Sequence, residues 1–266
     1  MQYCKWDVSH FCGIKLLNSI TMNLNKKHFL VRLFFFVFLF WMVGVGVYAD
    51  QKPNAVFHAI VARDGSGNYT SVQSAIDAVP EGRTAPWLIF VKNGSYEEQV
   101  IIPASKPFIH LVGQDKERTI IHLKLNVGGE PDANTKDSTY WEYSVHNPQS
   151  KVYKLEGSVV NVNASDFYSE NISYVNDWGV GALSGPQALA MKTRADRIAF
   201  YNCKFRSFQD TWMTTVNDAD RHYAKECWIE GAVDYFYGAG DALLEECTLY
   251  NIRSGAVIVA PSHEKA

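Results

Sequence analysis

Net charge is scarce in this 266-residue chain: 25 Lys and Arg stand against 28 Asp and Glu, leaving −3. A field that weak draws in neither nucleic acid nor an anionic membrane. No basic stripe and no zinc-type Cys/His spacing supplies a nucleic-acid reader either. Cysteine is scarce too. Of five cysteines only Cys203, Cys227 and Cys247 follow residue 50, which permits one disulfide but not a disulfide-framed scaffold. Long amphipathic helices are missing beyond residue 50. The one short candidate covers 71–79, with Val72, Ala75, Ile76 and Val79 on one face.

What is present is a globular composition, 47% hydrophobic and 20% charged, on a chain long enough for one sizeable core. The first 49 residues stand apart. Lys26, Lys27 and His28 precede an apolar run over 29–47, broken only by Arg32, and Val47 and Ala49 then make a small-residue cleavage pattern. A basic flank, an apolar stretch and such an end describe a secretory signal. The run is nearly long enough to span a bilayer, so an uncleaved anchor is the competing reading and the only one that involves a membrane. Four N-x-S/T sequons, at Asn68, Asn93, Asn163 and Asn171, agree with secretion and a glycoprotein.

Past that point short β-branched and aromatic runs alternate with Gly, Asn and Asp. The runs at 87–91, 108–112, 119–123, 158–162, 198–205 and 256–260 read as strands. Four segments repeat one pattern: Glu170-Asn-Ile-Ser-Tyr-Val-Asn176, Tyr201-Asn-Cys-Lys-Phe-Arg-Ser207, Lys225-Glu-Cys-Trp-Ile-Glu-Gly231 and Glu245-Glu-Cys-Thr-Leu-Tyr-Asn251. Their starts lie 31, 24 and 20 residues apart. Single strands recurring at that period without helices between them predict an all-β, single-stranded parallel β-helix, and the period is too short for a four-stranded propeller blade. Cys227 and Cys247 then fall one coil apart, within disulfide reach. Cys203 with Cys227, or three stacked free thiols, fits the spacing equally well.

Three polar residues also keep step with the coil: Gln187, Asp210 and Asp234, at intervals of 23 and 24 residues. On a β-helix they line up on one face, about 5 Å apart between backbones. Two carboxylates so close cannot both ionise freely, so one is expected to stay protonated beside a charged partner, the pairing that acid–base and covalent catalysis use. Stacked Asp and Asn that merely bond the backbone of β-helix turns would give the same spacing. The flanking rings of Phe208, Trp212, Tyr235, Phe236 and Tyr237 suit either a sugar cleft or a solenoid core.

Several blocks in order carry a resemblance. Asp64-Gly-Ser-Gly-Asn-Tyr-Thr-Ser-Val-Gln-Ser-Ala-Ile76, Gly94-Ser-Tyr-Glu-Glu98, Gln187-Ala-Leu-Ala190, Phe208-Gln-Asp-Thr211 and Asp234-Tyr-Phe-Tyr-Gly238 resemble the signature blocks of the plant and bacterial pectin methylesterases. The resemblance implies a right-handed parallel β-helix, no cofactor or metal, and hydrolysis of the methyl esters of homogalacturonan. It implies that Asp234 is the nucleophile, Asp210 the acid and then the base, and Gln187 and Gln209 the amides that steady the oxyanion. Ser158 falls where the family places a substrate-contacting hydroxyl. The expected setting is secretion to a cell wall, with pectin as the partner of a monomer.

Departures accompany the matches. The family's Gln-Ala-Val-Ala-Leu-Arg block ends here in Met191-Lys192, Tyr-Gln-Asp-Thr-Leu reads Phe-Gln-Asp-Thr-Trp, and Asp-Phe-Ile-Phe-Gly-Asn reads Asp-Tyr-Phe-Tyr-Gly-Ala. A Leu-Gly-Arg-Pro-Trp block, with the arginine that pairs with the nucleophile and a tryptophan that stacks on substrate, has no counterpart. The expectation is therefore a signal or anchor within 1–49 and a catalytic β-helix over 50–266. That β-helix follows the short form without an inhibitor-like domain and lacks its carboxyl-terminal coils. A pectin-binding relative without activity is the alternative. A polygalacturonase would need paired-Asp blocks and Gly-His-Gly, and a pectate lyase a calcium-binding carboxylate cluster. Neither the blocks nor Gly-His-Gly are found.

Overall fold

The computed structural model describes residues 57–129, 139–182 and 184–263. The signal or anchor reading of 29–47 lies outside the described residues. Among them no helix is long and apolar enough to cross a membrane.

Among the described residues nineteen short strands form three parallel sheets. The first holds β1 (Ala59–Val61), β2 (Trp87–Val91), β5 (Ile109–Gly113), β8 (Phe167–Glu170), β11 (Ile198–Tyr201), β14 (Arg221–Lys225) and β17 (Asp241–Glu245). The second holds β3 (Gly94–Glu97), β6 (Thr119–Leu123), β9 (Ser173–Asn176), β12 (Lys204–Arg206), β15 (Trp228–Gly231) and β18 (Thr248–Asn251). The third holds β4 (Val100–Ile102), β7 (Ser158–Val162), β10 (Leu189–Thr193), β13 (Trp212–Met213), β16 (Phe236–Gly238) and β19 (Val259–Pro261). Each turn of the chain gives one strand to each sheet, which is a parallel β-helix, right-handed as parallel crossovers are. Among the described residues three short helices accompany it: α1 (Val72–Asp77), α2 (Thr139–Glu142) and α3 (Asp177–Ala182). Ser71 caps α1, its side chain accepting from the Ser74 N–H.

The four repeated segments turn out to be one corner of the coil. Between the first and second sheets the chain bends through a single residue with positive φ: Asn171 (57°), Asn202 (47°), Glu226 (54°) and Glu246 (54°). Asn tolerates that region better than most residues, and Asn202 Nδ2 donates to Asn171 Oδ1 of the coil before at 2.7 Å. The repeat was legible because these four coils solve the same corner with a polar residue followed by an apolar one that turns inward.

That inward residue is Cys in three successive coils, yet Cys203, Cys227 and Cys247 are free thiols, which corrects the Cys227–Cys247 disulfide. Residues stacked in parallel register keep their Cβ atoms about one strand spacing apart, ~4.8 Å, whereas a disulfide draws them to ~3.5–4.5 Å. The thiols instead make a ladder. The Cys203 N–H meets Cys227 Sγ at 3.4 Å, and hydrogen bonding to Cys203 pushes the Cys227 thiol up to about 12.

Rings fill the middle of the solenoid. Phe205 stacks between Tyr174 (5.6 Å) and Trp212 (4.9 Å), and Phe200 meets Phe205 and Trp212 edge-on. The last described coil is different: Leu243 on β17, Tyr250 on β18, Val259 on β19 and Val257 just before it are exposed, and these three are edge strands of the three sheets. The expected strand at 256–260 is observed at Val259–Pro261.

His222 is buried on β14 against Trp212, 6.5 Å between rings. Burial holds its pKa below the ordinary 6.5, with Asp220 pulling the other way. A depressed folded pKa favours the neutral ring, so its contribution to stability is full above about 6.5 and is lost as pH falls toward the folded value. The urea midpoint is therefore expected to drop between about pH 7 and pH 5, and less so in His222→Phe. Equal slopes in the two proteins would remove His222 as a cause.

Candidate active site

Asp210 and Asp234 lie at corresponding bends between the second and third sheets, just before β13 and β16. Gln209 bridges Val233 and Trp212 pairs with Phe236, so the two aspartates face each other in register. The Asp210 N–H donates to Val233 O at 3.0 Å. Both have positive φ, 60° and 46°, a region Asp enters more readily than most residues. The bend turns each carboxylate out of the coil while the next residue returns inward.

Gln187 is displaced from that line. The N–H groups of Ala190 and Met191 both donate to Thr211 O, so one residue bulges there. Ala188 N–H donates to Gln209 O, which sets Gln187 opposite Gln209 and not Asp210. The expected row of three is thus a carboxylate pair with an amide pair beside it.

A cleft of about 380 Å³ opens on the Gln187 and Asp210 side of this surface, lined also by Lys192, Arg194, Met213 and Tyr237; Asp234 and Gln209 are not among its lining residues. Ser158 does not reach it. That serine is fully buried and its Oγ donates to Val160 O at 2.9 Å, because the first residue of β7 turns inward where the strand begins. Its neighbour Gly157 lines the cleft instead.

Burial, and then the charge of Asp234, push the Asp210 carboxyl up to about 6, while hydrogen bonds from Gln209 and Tyr237 hold it back. The pair thus supplies a proton donor near neutral pH beside a second carboxylate. Tyr237 was visible in the sequence only as a ring; nothing in the spacing revealed that its hydroxyl reaches Asp210 from the next coil. Removing that donor in Tyr237→Phe is expected to raise the Asp210 titration midpoint above about 6, read by carbon NMR of the carboxyl. An unchanged or lower midpoint would contradict the hydrogen bond.

Lys192 on β10 and Arg194, one residue past its end, were also missed as site residues, although i, i+2 positions of an extended chain share a face. The Lys192 ammonium is held below its usual pKa by burial and by Arg194, against Glu156 at 3.7 Å. Among the described residues no group of three or more His, Cys, Asp or Glu could hold a metal ion.

The Pectinesterase family model matches residues 58–259. Pectinesterase 31 of Arabidopsis thaliana is 37% identical over 210 residues, 77% of this chain and 59% of its own. The pectin methylesterase of carrot superposes with a TM-score of 0.64 at 26% identity, covering 81% of this chain and 60% of that one. The Aspergillus niger enzyme gives 0.59 at 28% identity, covering 78% and 60%. The chain thus spans about three-fifths of the length of these relatives.

Proposed function

This chain belongs to the pectinesterase family, and on that premise we propose that it hydrolyses the methyl esters of homogalacturonan, releasing pectate and methanol. The observation that carries the reading is the in-register aspartate pair with one carboxyl raised to about 6. Asp234 attacks the ester carbonyl and forms an acyl-enzyme as the C–O bond to methanol breaks. Asp210 gives its proton to the departing methoxide, then takes one from the water that attacks the acyl group. Charge developing on the carbonyl oxygen is met by the side-chain amides of Gln187 and Gln209, each such donor typically contributing ~3–4 kcal/mol.

Lys192 and Arg194 give the cleft a cationic wall suited to a polyanion with free carboxylates between its esters. The reading carries with it secretion to the cell wall as a glycosylated monomer that needs no cofactor. Methanol release from highly methylated pectin by purified residues 50–266 tests it. A folded, soluble protein that releases none would overturn it.

A second reading, pectin binding without turnover, has one observation in its favour: among the described residues Asp234 has no ion-pair partner. Retention on pectin without methanol release would select it.

A further inference from the structure

Outside the cleft, three consecutive coils each bring one side chain to a chain of hydrogen bonds. Ser95 lies on β3, His122 on the neighbouring strand β6, and Asp177 opens α3 directly after β9. Ser95 Oγ is 2.7 Å from His122 Nε2, and His122 Nδ1 is 2.5 Å from Asp177 Oδ2. None of the three lines the cleft that holds Asp210. We propose that Ser95, His122 and Asp177 form a second, serine-type acyl-transfer site that takes small O-acyl esters.

The connectivity is what supports it. A carboxylate at Nδ1 fixes the proton on that nitrogen and leaves the Nε2 lone pair aimed at the serine hydroxyl, the arrangement in which histidine acts as a base. Both His122 and Ser95 are held on strands, and outward positions two apart on neighbouring strands bring them together. Ser95 is exposed, so an ester can reach it.

The strand also supplies a donor for the oxyanion. Gly94 N–H donates to Arg118 O and Glu98 N–H to His122 O. Alternation along the strand therefore turns the Ser95 N–H the other way, to the outer edge of the second sheet, where it meets no acceptor among the described residues. One donor on an open surface predicts slow turnover compared with an enclosed site. The open surface also favours an acetyl-sized acyl group, which needs no pocket.

In the reaction, Ser95 Oγ bonds to the acyl carbon while its proton passes to His122 Nε2. The alcohol leaves with that proton as its C–O bond breaks. Water, giving a proton to His122, then attacks the acyl-serine and releases the carboxylic acid with Ser95 restored.

The test is independent of the pectinesterase reading, because the full chain carries Asp234→Asn throughout. The protein is treated with a fluorophosphonate and the labelled serine is mapped by peptide mass spectrometry. Ser105, exposed and hydrogen-bonded to Glu81 without a histidine, serves as the internal reference. Ser95 is expected to label at least about 100-fold faster than Ser105, the low end for a positioned base. His122→Ala and Asp177→Asn should each reduce that excess, and hydrolysis of p-nitrophenyl acetate should fall in Ser95→Ala. Labelling of Ser95 no faster than Ser105, or labelling indifferent to His122→Ala, would overturn the proposal.

Discussion

Asp234→Asn is expected to lower methanol release from methylated pectin by at least about 10⁴-fold, the scale on which removal of a covalent nucleophile is felt. Asparagine keeps the size and the left-handed preference that the 46° φ demands, so the bend and the register with Asp210 should survive. In the proposed mechanism, what is lost is the atom that bonds to the acyl carbon. Asp210→Asn should be nearly as damaging by another route, since both steps of the proposed mechanism then lack their proton carrier. Rates within tenfold of the parent in Asp234→Asn, with unchanged thermal unfolding, would move the nucleophile elsewhere. The variant also acts on its neighbour. Without the Asp234 charge, one of the two causes that raise Asp210 disappears and its midpoint should fall below about 6.

Trp212→Ala is expected to cost about 3–5 kcal/mol of folding stability, the range for emptying a large buried ring site. Trp212 is 0% exposed and contacts Phe200, Phe205 and Phe236 at ring separations of 5.1, 4.9 and 5.3 Å. Its Nε1 also donates to Thr193 Oγ1 at 3.1 Å, so truncation both opens a cavity and removes a buried donor. The residue sits two positions after Asp210 and anchors the strand that fixes it. Activity should therefore fall more than the unfolded fraction alone explains. Trp212→Phe should retain more of the stability, and a urea-unfolding loss under about 1 kcal/mol for Trp212→Ala would show that the core re-forms without the ring.

Much of this was written into residue types that a coil must repeat. The period of the Asn171, Asn202, Glu226 and Glu246 corners is local chemistry, and it exposed the solenoid. The 24-residue interval from Asp210 to Asp234 likewise became exact register, because β13 and β16 pair without interruption. The 23 residues from Gln187 to Asp210 did not: Met191 pairs with Trp212, 21 residues on, and the bulge at Ala190 and Met191 adds one residue to that offset, which brings Gln187 only as far as Gln209. A bulge leaves no mark in composition. Ser158 was misplaced for a related reason. Which face a strand's first residue takes depends on how the preceding turn delivers the chain, and a hydroxyl suits either side. The thiols were ambiguous from spacing alone, because coil spacing brings Cα atoms within disulfide reach while the parallel Cβ vectors decide the matter.

The pairing of the two aspartates across β13 and β16 has a consequence for length variation. Their separation is held by successive backbone bonds, Asp210 to Val233, Trp212 to Tyr235 and Thr214 to Tyr237, and not by the amount of chain between them. A residue gained or lost in the exposed turn at 216–219 leaves those bonds to re-form unchanged, so the site is indifferent to it. A residue inserted between Gly231 and Asp234 shifts the count within the ladder and turns the carboxylate to the opposite face. Insertions and deletions in this gene are thus sorted by which bend they strike, and two equally short ones a dozen residues apart can be silent or fatal to catalysis.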